Sequence, residues 1–236
     1  MSNTYFQFKQ FRIEQEKCAM KVCTDSCLFG AWIPVDDHVK TILDIGCGTG
    51  LLSLMLAQKS DAKTDAVEID EDAFQQAKLN IENSVFAHTI SVYNQDILNF
   101  NTKNKYDLVV CNPPFYENEM ASQAANEKLA KHSTHLPLSS LLKKGKSLLQ
   151  PDGKLAILLP YFRAHEFETE AAKNELYIEK KLSVKQTPKH DFFRVCYVVK
   201  QQPSHTFYST SIIIKDEQNC YTAEFTDLLK PYYLHL

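Results

Sequence analysis

Asn112-Pro113-Pro114-Phe115 brings a carboxamide, two φ-fixing rings and an aromatic face together in one short stretch. An aryl amine is a poor nucleophile because its lone pair is delocalised into the ring and its hydrogens lie in the ring plane. The Asn112 side-chain oxygen and the Pro113 carbonyl can each accept one of those hydrogens, which favours a pyramidal nitrogen and turns the lone pair toward an incoming methyl group. Pro113 and Pro114 stiffen the segment, so the acceptors need no reorganisation during the reaction. Phe115 offers a face for stacking a flat ring, an interaction of about 1–3 kcal/mol per base. The competing reading of these four residues is a strand-terminating turn with a buried aromatic.

A second group, Asp44-Ile45-Gly46-Cys47-Gly48-Thr49-Gly50, presents backbone amides with few side chains in the way. Its spacing is G-x-G-x-G, not the dinucleotide pattern G-x-G-x-x-G, and Asp44 precedes the first glycine by two residues. A pyrophosphate is repelled by that aspartate, whereas a ligand carrying an ammonium and a sulfonium is attracted to it. The glycines also fit a tight turn needed for packing alone. Glu68, about 20 residues on, is placed to accept from both hydroxyls of a ribose, and Ile69 follows it. Asp96 is placed to accept from an adenine amino group, with Ile97 packed on the ring. Asp96 fits a helix cap or loop carboxylate equally well.

Positioning these residues requires a particular scaffold. Thr41 to Ile45, Thr64 to Ile69, Ile90 to Tyr93 and Tyr106 to Cys111 read as buried strands, and Gly50 to Lys59 and Asp72 to Ser84 as helices between them. Strand and helix alternating in this way predict an α/β fold with a mostly parallel sheet flanked by helices. Helices are expected at about 120 to 130, 138 to 149 and 162 to 173, and a strand at Lys154 to Leu159 after the turn Pro151-Asp152-Gly153. Tyr177 to Gln186 and Phe193 to Lys200 are strands joined by too short a loop for a helical crossover, so they must pair antiparallel. Upstream, Tyr5 to Ile13 reads as a strand or small hairpin forming a cap. Thr24-Asp25-Ser26 supply capping oxygens to a short helix ending near Pro34.

One domain is expected over 1–236, with 1–35 as a cap over cofactor and substrate and 36–236 as the catalytic core. Hydrophobic residues at 44% and charged residues at 23% exclude a disordered or fibrous chain. The longest apolar run, Leu51 to Ala57, is far short of the roughly 18 residues of a membrane span, and no signal pattern is evident; a cytoplasmic protein is expected. Seven cysteines with no C-x-x-C pair fit reduced, buried thiols, and no metal site is expected. Net charge of −3 means that any nucleic-acid contact depends on a local basic face.

With the glycine loop, Glu68, Asp96 and Asn112-Pro-Pro-Phe115 in order, the chain resembles the class I S-adenosylmethionine-dependent amino-methyltransferases. The upstream Phe6-Gln-Phe-Lys-Gln-Phe11 and the segment Cys18 to Trp32 make it similar to the bacterial tRNA(Val) adenine-N6 enzymes, which act on adenosine 37. The motifs are shared with rRNA guanine-N2 and protein glutamine-N5 enzymes, from which only the first 32 residues separate it. A catalytically silent nucleoside- or RNA-binding module of the same fold is the alternative outside enzymes. The resemblance implies Asp44, Gly46, Gly48, Glu68, Ile69, Asp96, Ile97 and Asn112 at S-adenosylmethionine, with Lys21, Thr24 and Asp25 closing over it. Where the family carries Arg-His, this chain has Lys131-His132, and lysine lacks the bidentate fork of arginine. Strand polarity puts the loop Lys185 to Asp191 at the edge bearing the glycine loop and Asn112, so Lys185, Lys189, His190 and Arg194 are candidates for phosphate contact. Lys9 and Arg12 form a second basic patch; each of these charges also fits an ordinary solvated face. A partly unpaired anticodon-loop base reaches a pocket at less expense than one in a duplex, which favours tRNA as partner. A monomer is expected.

Overall fold

A computed structural model describes residues 4–18, 21–114, 136–203 and 206–236. β1 (Tyr5–Gln7) and β2 (Arg12–Glu14) form an antiparallel hairpin. Then come α1 (Thr24–Trp32), β3 (Thr41–Ile45), α2 (Leu51–Ala57), β4 (Lys63–Glu68), α3 (Glu71–Glu82), β5 (Ile90–Asn94) and β6 (Tyr106–Cys111). The chain continues through α4 (Leu138–Leu148), β7 (Leu149–Pro160), α5 (Ala164–Lys173), β8 (Tyr177–Lys185), β9 (Phe192–Lys200), β10 (Tyr208–Ile213) and α6 (Ala223–Leu229). Strands β3 to β10 make one sheet in the order β10-β8-β9-β7-β6-β3-β4-β5. Only β9 runs against its neighbours β7 and β8; β10 pairs parallel with β8.

Both faces of the sheet are covered at its centre, which is why β6 and β7 carry the apolar runs Leu108 to Cys111 and Leu155 to Leu159. In β6, Leu108 and Val110 join α1, α2, α6 and the hairpin in one core, while Val109 and Cys111 join α4 and α5 in the other. The N-terminal segment is part of this packing and not only a cover, since Phe8 and Ile13 are wholly buried. Phe8 bridges to Tyr233 near the C-terminus.

Several expectations are corrected. α1 begins at Thr24, but Cys23 occupies the cap position without a side-chain hydrogen bond, so the predicted capping oxygens do other work. α3 begins at Glu71 with Asp70 as its cap, Oδ1 accepting from Ala73 N at 2.9 Å. β7 starts at Leu149, not Lys154, and Pro151-Asp152-Gly153 is a register shift within it opposite Tyr106. Gly153 is required there, because a Cβ would meet the Tyr106 carbonyl oxygen at 2.7 Å. The antiparallel hairpin of β8 and β9 is as predicted, but β10 and α6 extend the fold beyond it. The helix expected at about 120 to 130, together with Phe115, Lys131 and His132, lies outside the described residues. Among the described residues no helix is long and apolar enough to cross a membrane.

Candidate active site

β3 and β6 are parallel neighbours, with Ile45 in register with Cys111. The loops that follow them therefore leave the sheet side by side, and the glycine loop meets Asn112 at one edge. The first loop is bent by three left-handed glycines, Gly46, Gly48 and Gly50, with φ of +69°, +55° and +82°. At Gly46 and Gly48 a Cβ would touch nothing within 4 Å, so backbone conformation and not crowding demands glycine, and open space faces the loop. Gly46 N and Cys47 N both donate to the Val67 carbonyl, at 2.8 and 3.2 Å, which pins the loop to β4.

Two acids, Asp44 and Glu68, adjoin this loop, and a third, Asp96, follows β5 at the same sheet edge. Asp44 is fully buried; its Oδ2 accepts from Ser53 N at 3.1 Å and Ser53 Oγ at 2.7 Å. Its Oδ1 is equally buried and has no hydrogen-bond partner. Burial pushes the carboxyl up to about 7, outweighing the two bonds from Ser53. Glu68 braces the loop: Oε2 accepts from Gly48 N at 2.8 Å and Oε1 from Asp70 N at 3.0 Å. Burial raises its pKa above the usual carboxylate range. Each of its oxygens retains a further lone pair for a ligand. Asp96 caps the 3-10 turn Ile97–Asn99, its Oδ1 accepting from Leu98 N at 2.9 Å; this is the cap that its sequence position also allowed. Ile97 is buried and Ile69 is 45% exposed.

The side chain of Asn112 is oriented by α1. Its Nδ2 donates to Ser26 Oγ at 2.8 Å, while its Oδ1 is buried without a partner. The acceptor oxygen that the chemistry requires is thus the one the protein leaves unused. Pro113 is half-buried and Pro114 exposed. Thr24 and Asp25 lie in the first turn of α1, and Lys21 is exposed just before it.

Other basic candidates are placed differently. Arg194 Nε donates to Asp25 Oδ2 at 2.6 Å, with the two side chains 13% and 10% exposed. The Arg194 guanidinium is thus engaged with Asp25 and is not carried on the exposed hairpin loop. Lys189 and His190 are exposed on that loop, with Thr187 Oγ1 and His190 Nδ1 2.7 Å apart. Lys185 Nζ lies 4.9 Å from the centre of the Phe192 ring. Lys9 Nζ donates to the Lys230 carbonyl at 2.6 Å, and Arg12 pairs with Glu14 at 2.6 Å on the N-terminal hairpin.

Sequence reading missed Ser26, Ser53 and Asn80. Asn80 clamps the site from α3: Oδ1 accepts from Glu14 N, and Nδ2 donates to the carbonyls of Glu14 and Thr49, each at 2.9 Å. It joins the hairpin to the glycine loop. No pattern announces such a role for one polar residue within an otherwise amphipathic helix.

Residues 19–168 match the model of the methyltransferase small domain family. The tRNA1(Val) (adenine(37)-N6)-methyltransferase of Cytophaga hutchinsonii is 40% identical over the whole of both chains. The enzyme of the same name from Pectobacterium carotovorum is also 40% identical, over 98% of this chain and 94% of its own. Among solved structures, a predicted O-methyltransferase from Agrobacterium tumefaciens superposes with a TM-score of 0.65 at 16% identity, covering 87% of this chain and 95% of that one. The ribosomal protein L11 methylase of Lactobacillus delbrueckii gives 0.58 at 16% identity, covering 80% and 84%.

Proposed function

This chain belongs to the methyltransferase small domain family, and from that premise we propose that it methylates the exocyclic N6 of an adenosine in tRNA, adenosine 37 of tRNA(Val) being the expected acceptor. The donor is S-adenosylmethionine, which supplies an electrophilic methyl group on a sulfonium. The single observation that carries the chemistry is the partnerless Asn112 Oδ1 at the strand edge shared with the glycine loop. The names of relatives matched over their full length at 37–40% identity support the acceptor.

The residues present suit the donor. A cation is favoured beside the unpaired Asp44 Oδ1, and the open space at Gly46 and Gly48 admits a ligand against the backbone. Glu68, Ile69, Asp96 and Ile97 would hold its nucleoside, and Lys21, Thr24 and Asp25 would close over it. Asn112 Oδ1 and the Pro113 carbonyl accept the two amine hydrogens, so the nitrogen lone pair is freed without a general base. The proton left after transfer goes to solvent. Phe115 would stack on the target ring; Lys189 and His190, on the loop at the edge that also carries Asn112, and Lys9 and Arg12, on the N-terminal hairpin, would contact phosphates.

Incubation with labelled S-adenosylmethionine and separated tRNA, rRNA and protein fractions, followed by nucleoside mass spectrometry, tests this reading. Label in N6-methyladenosine of tRNA is expected, and label only in rRNA or protein overturns the acceptor. Asn112→Ala is expected to abolish turnover while calorimetry still detects cofactor binding; a fully active Asn112→Ala refutes the mechanism.

A further inference from the structure

A carboxamide is nearly symmetric in shape, and rotation about its last bond exchanges the acceptor oxygen for the donor nitrogen. The proposed reaction needs the oxygen of Asn112 forward; the flipped amide would present hydrogens to an amine that already carries hydrogens. Something must choose between the two. We propose that Ser26 is a positioning residue that fixes the Asn112 carboxamide with its oxygen toward the substrate, and that the Asp25–Arg194 pair holds Ser26 in place; this rests on the function proposed above.

Asn112 Nδ2 donates to Ser26 Oγ at 2.8 Å. A hydroxyl has one proton and two lone pairs, so it orients an amide only when its own proton is engaged elsewhere. Cys23 Sγ lies 2.9 Å from Ser26 Oγ, a pair in which either atom can donate; with the thiol proton bonded to the neighbouring Asp25 carboxylate, the sulfur is left to accept the hydroxyl proton. Burial and the nearby Asp25 keep this thiol uncharged at neutral pH, its pKa standing at about 11. With the hydroxyl proton turned to sulfur, the lone pairs of Ser26 face Asn112 and select Nδ2.

Ser26 must itself be fixed, because α1 has no side-chain cap to hold its first turn. Asp25 does this from both oxygens: Oδ1 accepts from Ser26 N at 3.0 Å and Oδ2 from Arg194 Nε at 2.6 Å. Arg194 is anchored in β9, in register with Pro160 of β7 and Val184 of β8. The orientation of one amide is therefore referred to the sheet through α1. Ser26 and Asp25 are 5% and 7% exposed, which keeps water from substituting for these bonds.

Ser26→Ala removes the acceptor and leaves the fold's apolar contacts. It is expected to lower kcat about tenfold, with the KM for tRNA and the affinity for S-adenosylmethionine each changed less than about twofold. In an Asn112→Asp background either oxygen faces forward after rotation, so adding Ser26→Ala is expected to change kcat by less than about twofold. An independent readout is the Asn112 side-chain amide in NMR spectra, identified by its loss in Asn112→Ala. Its hydrogen exchange is expected to speed up about tenfold or more in Ser26→Ala as the bond is lost. Unchanged kcat and unchanged exchange in Ser26→Ala overturn the proposal, as does a loss of the same size in both backgrounds. If the amide is protected by Ser26 yet the wild-type protein methylates no adenosine, the orientation holds and the proposed function fails.

Discussion

Replacing Asp44 with asparagine separates the electrostatic expense of the site from its packing. Asp44 is fully buried, and its Oδ1 has no partner. Its pKa stands at about 7 in the fold against an ordinary 3.8. A raised acid pKa means that the folded state binds the proton more tightly than the unfolded state. The contribution is therefore fully present below the ordinary value, is lost as pH rises toward about 7, and stays lost above it. At roughly 1.4 kcal/mol per pH unit, the whole loss is about 4 kcal/mol, of which about 2 kcal/mol falls between pH 5 and pH 7. The Asp44→Asn side chain keeps an acceptor for Ser53 and does not titrate in this range. Urea denaturation at pH 5, 6, 7 and 8 is expected to show Asp44→Asn gaining on the wild type up to pH 7 and running parallel above it. A constant difference across the series refutes an unpaired ionised Asp44. The same charge favours a cationic ligand: wild-type affinity for S-adenosylmethionine is expected to tighten by up to about tenfold per unit from pH 5 to 7, while Asp44→Asn binds weakly with a shallower profile, Glu68 being the acid that still titrates there. Calorimetry in buffers of different ionisation enthalpy reads the proton released.

Asn80→Ala removes three hydrogen bonds, one of them fully buried, and is expected to lower stability by about 2–4 kcal/mol in urea, with faster hydrogen exchange at Glu14. Gly48→Ala forces a side chain into a φ of +55° where open space adjoins the loop. It is expected to cost about 1–2 kcal/mol of stability, and calorimetry is expected to show cofactor affinity falling more steeply than that strain requires. Lys189→Ala, on the exposed loop, is expected to reduce the slope of log K for tRNA against log salt by about one and to leave kcat at saturating tRNA unchanged.

The parts of the fold that were legible are those whose physics is local. β6 is legible to the residue because its strand, buried on both faces, is apolar at every position but Asp107. The glycine loop announced itself through residues that alone enter left-handed backbone easily. β10 was missed because Tyr208 to Ser211 are exposed at the sheet edge, so no apolar signal marks them. The start of β7 was misread because a proline, an aspartate and a glycine suggest a turn, and only pairing with Tyr106 makes them a bulge within a strand. The partners of the site were illegible for another reason: Ser26 and Asn112 are 86 positions apart, and Asp25 and Arg194 are 169 apart. Thr24-Asp25-Ser26 has the composition of a helix cap, and only tertiary contact reveals that two of its three side chains are engaged by residues far along the chain.

The reversal of β9 ties these distant pieces together. In a wholly parallel sheet the first residues of every strand lie at the edge opposite the glycine loop, and Arg194, third in β9, would lie there too. Because β9 runs antiparallel to β7 and β8, its beginning falls at the edge where β6 ends. That inversion places Arg194 within reach of α1, whose first turn aims Asn112. It also delivers the loop carrying Lys189 and His190 to the same edge, where a polyanion bound beside the target amine would meet it. One strand direction thus positions a buried cation behind the acceptor and exposed basic residues in front of it. A chain of net charge −3 needs such local placement, since its overall field repels a polyanion.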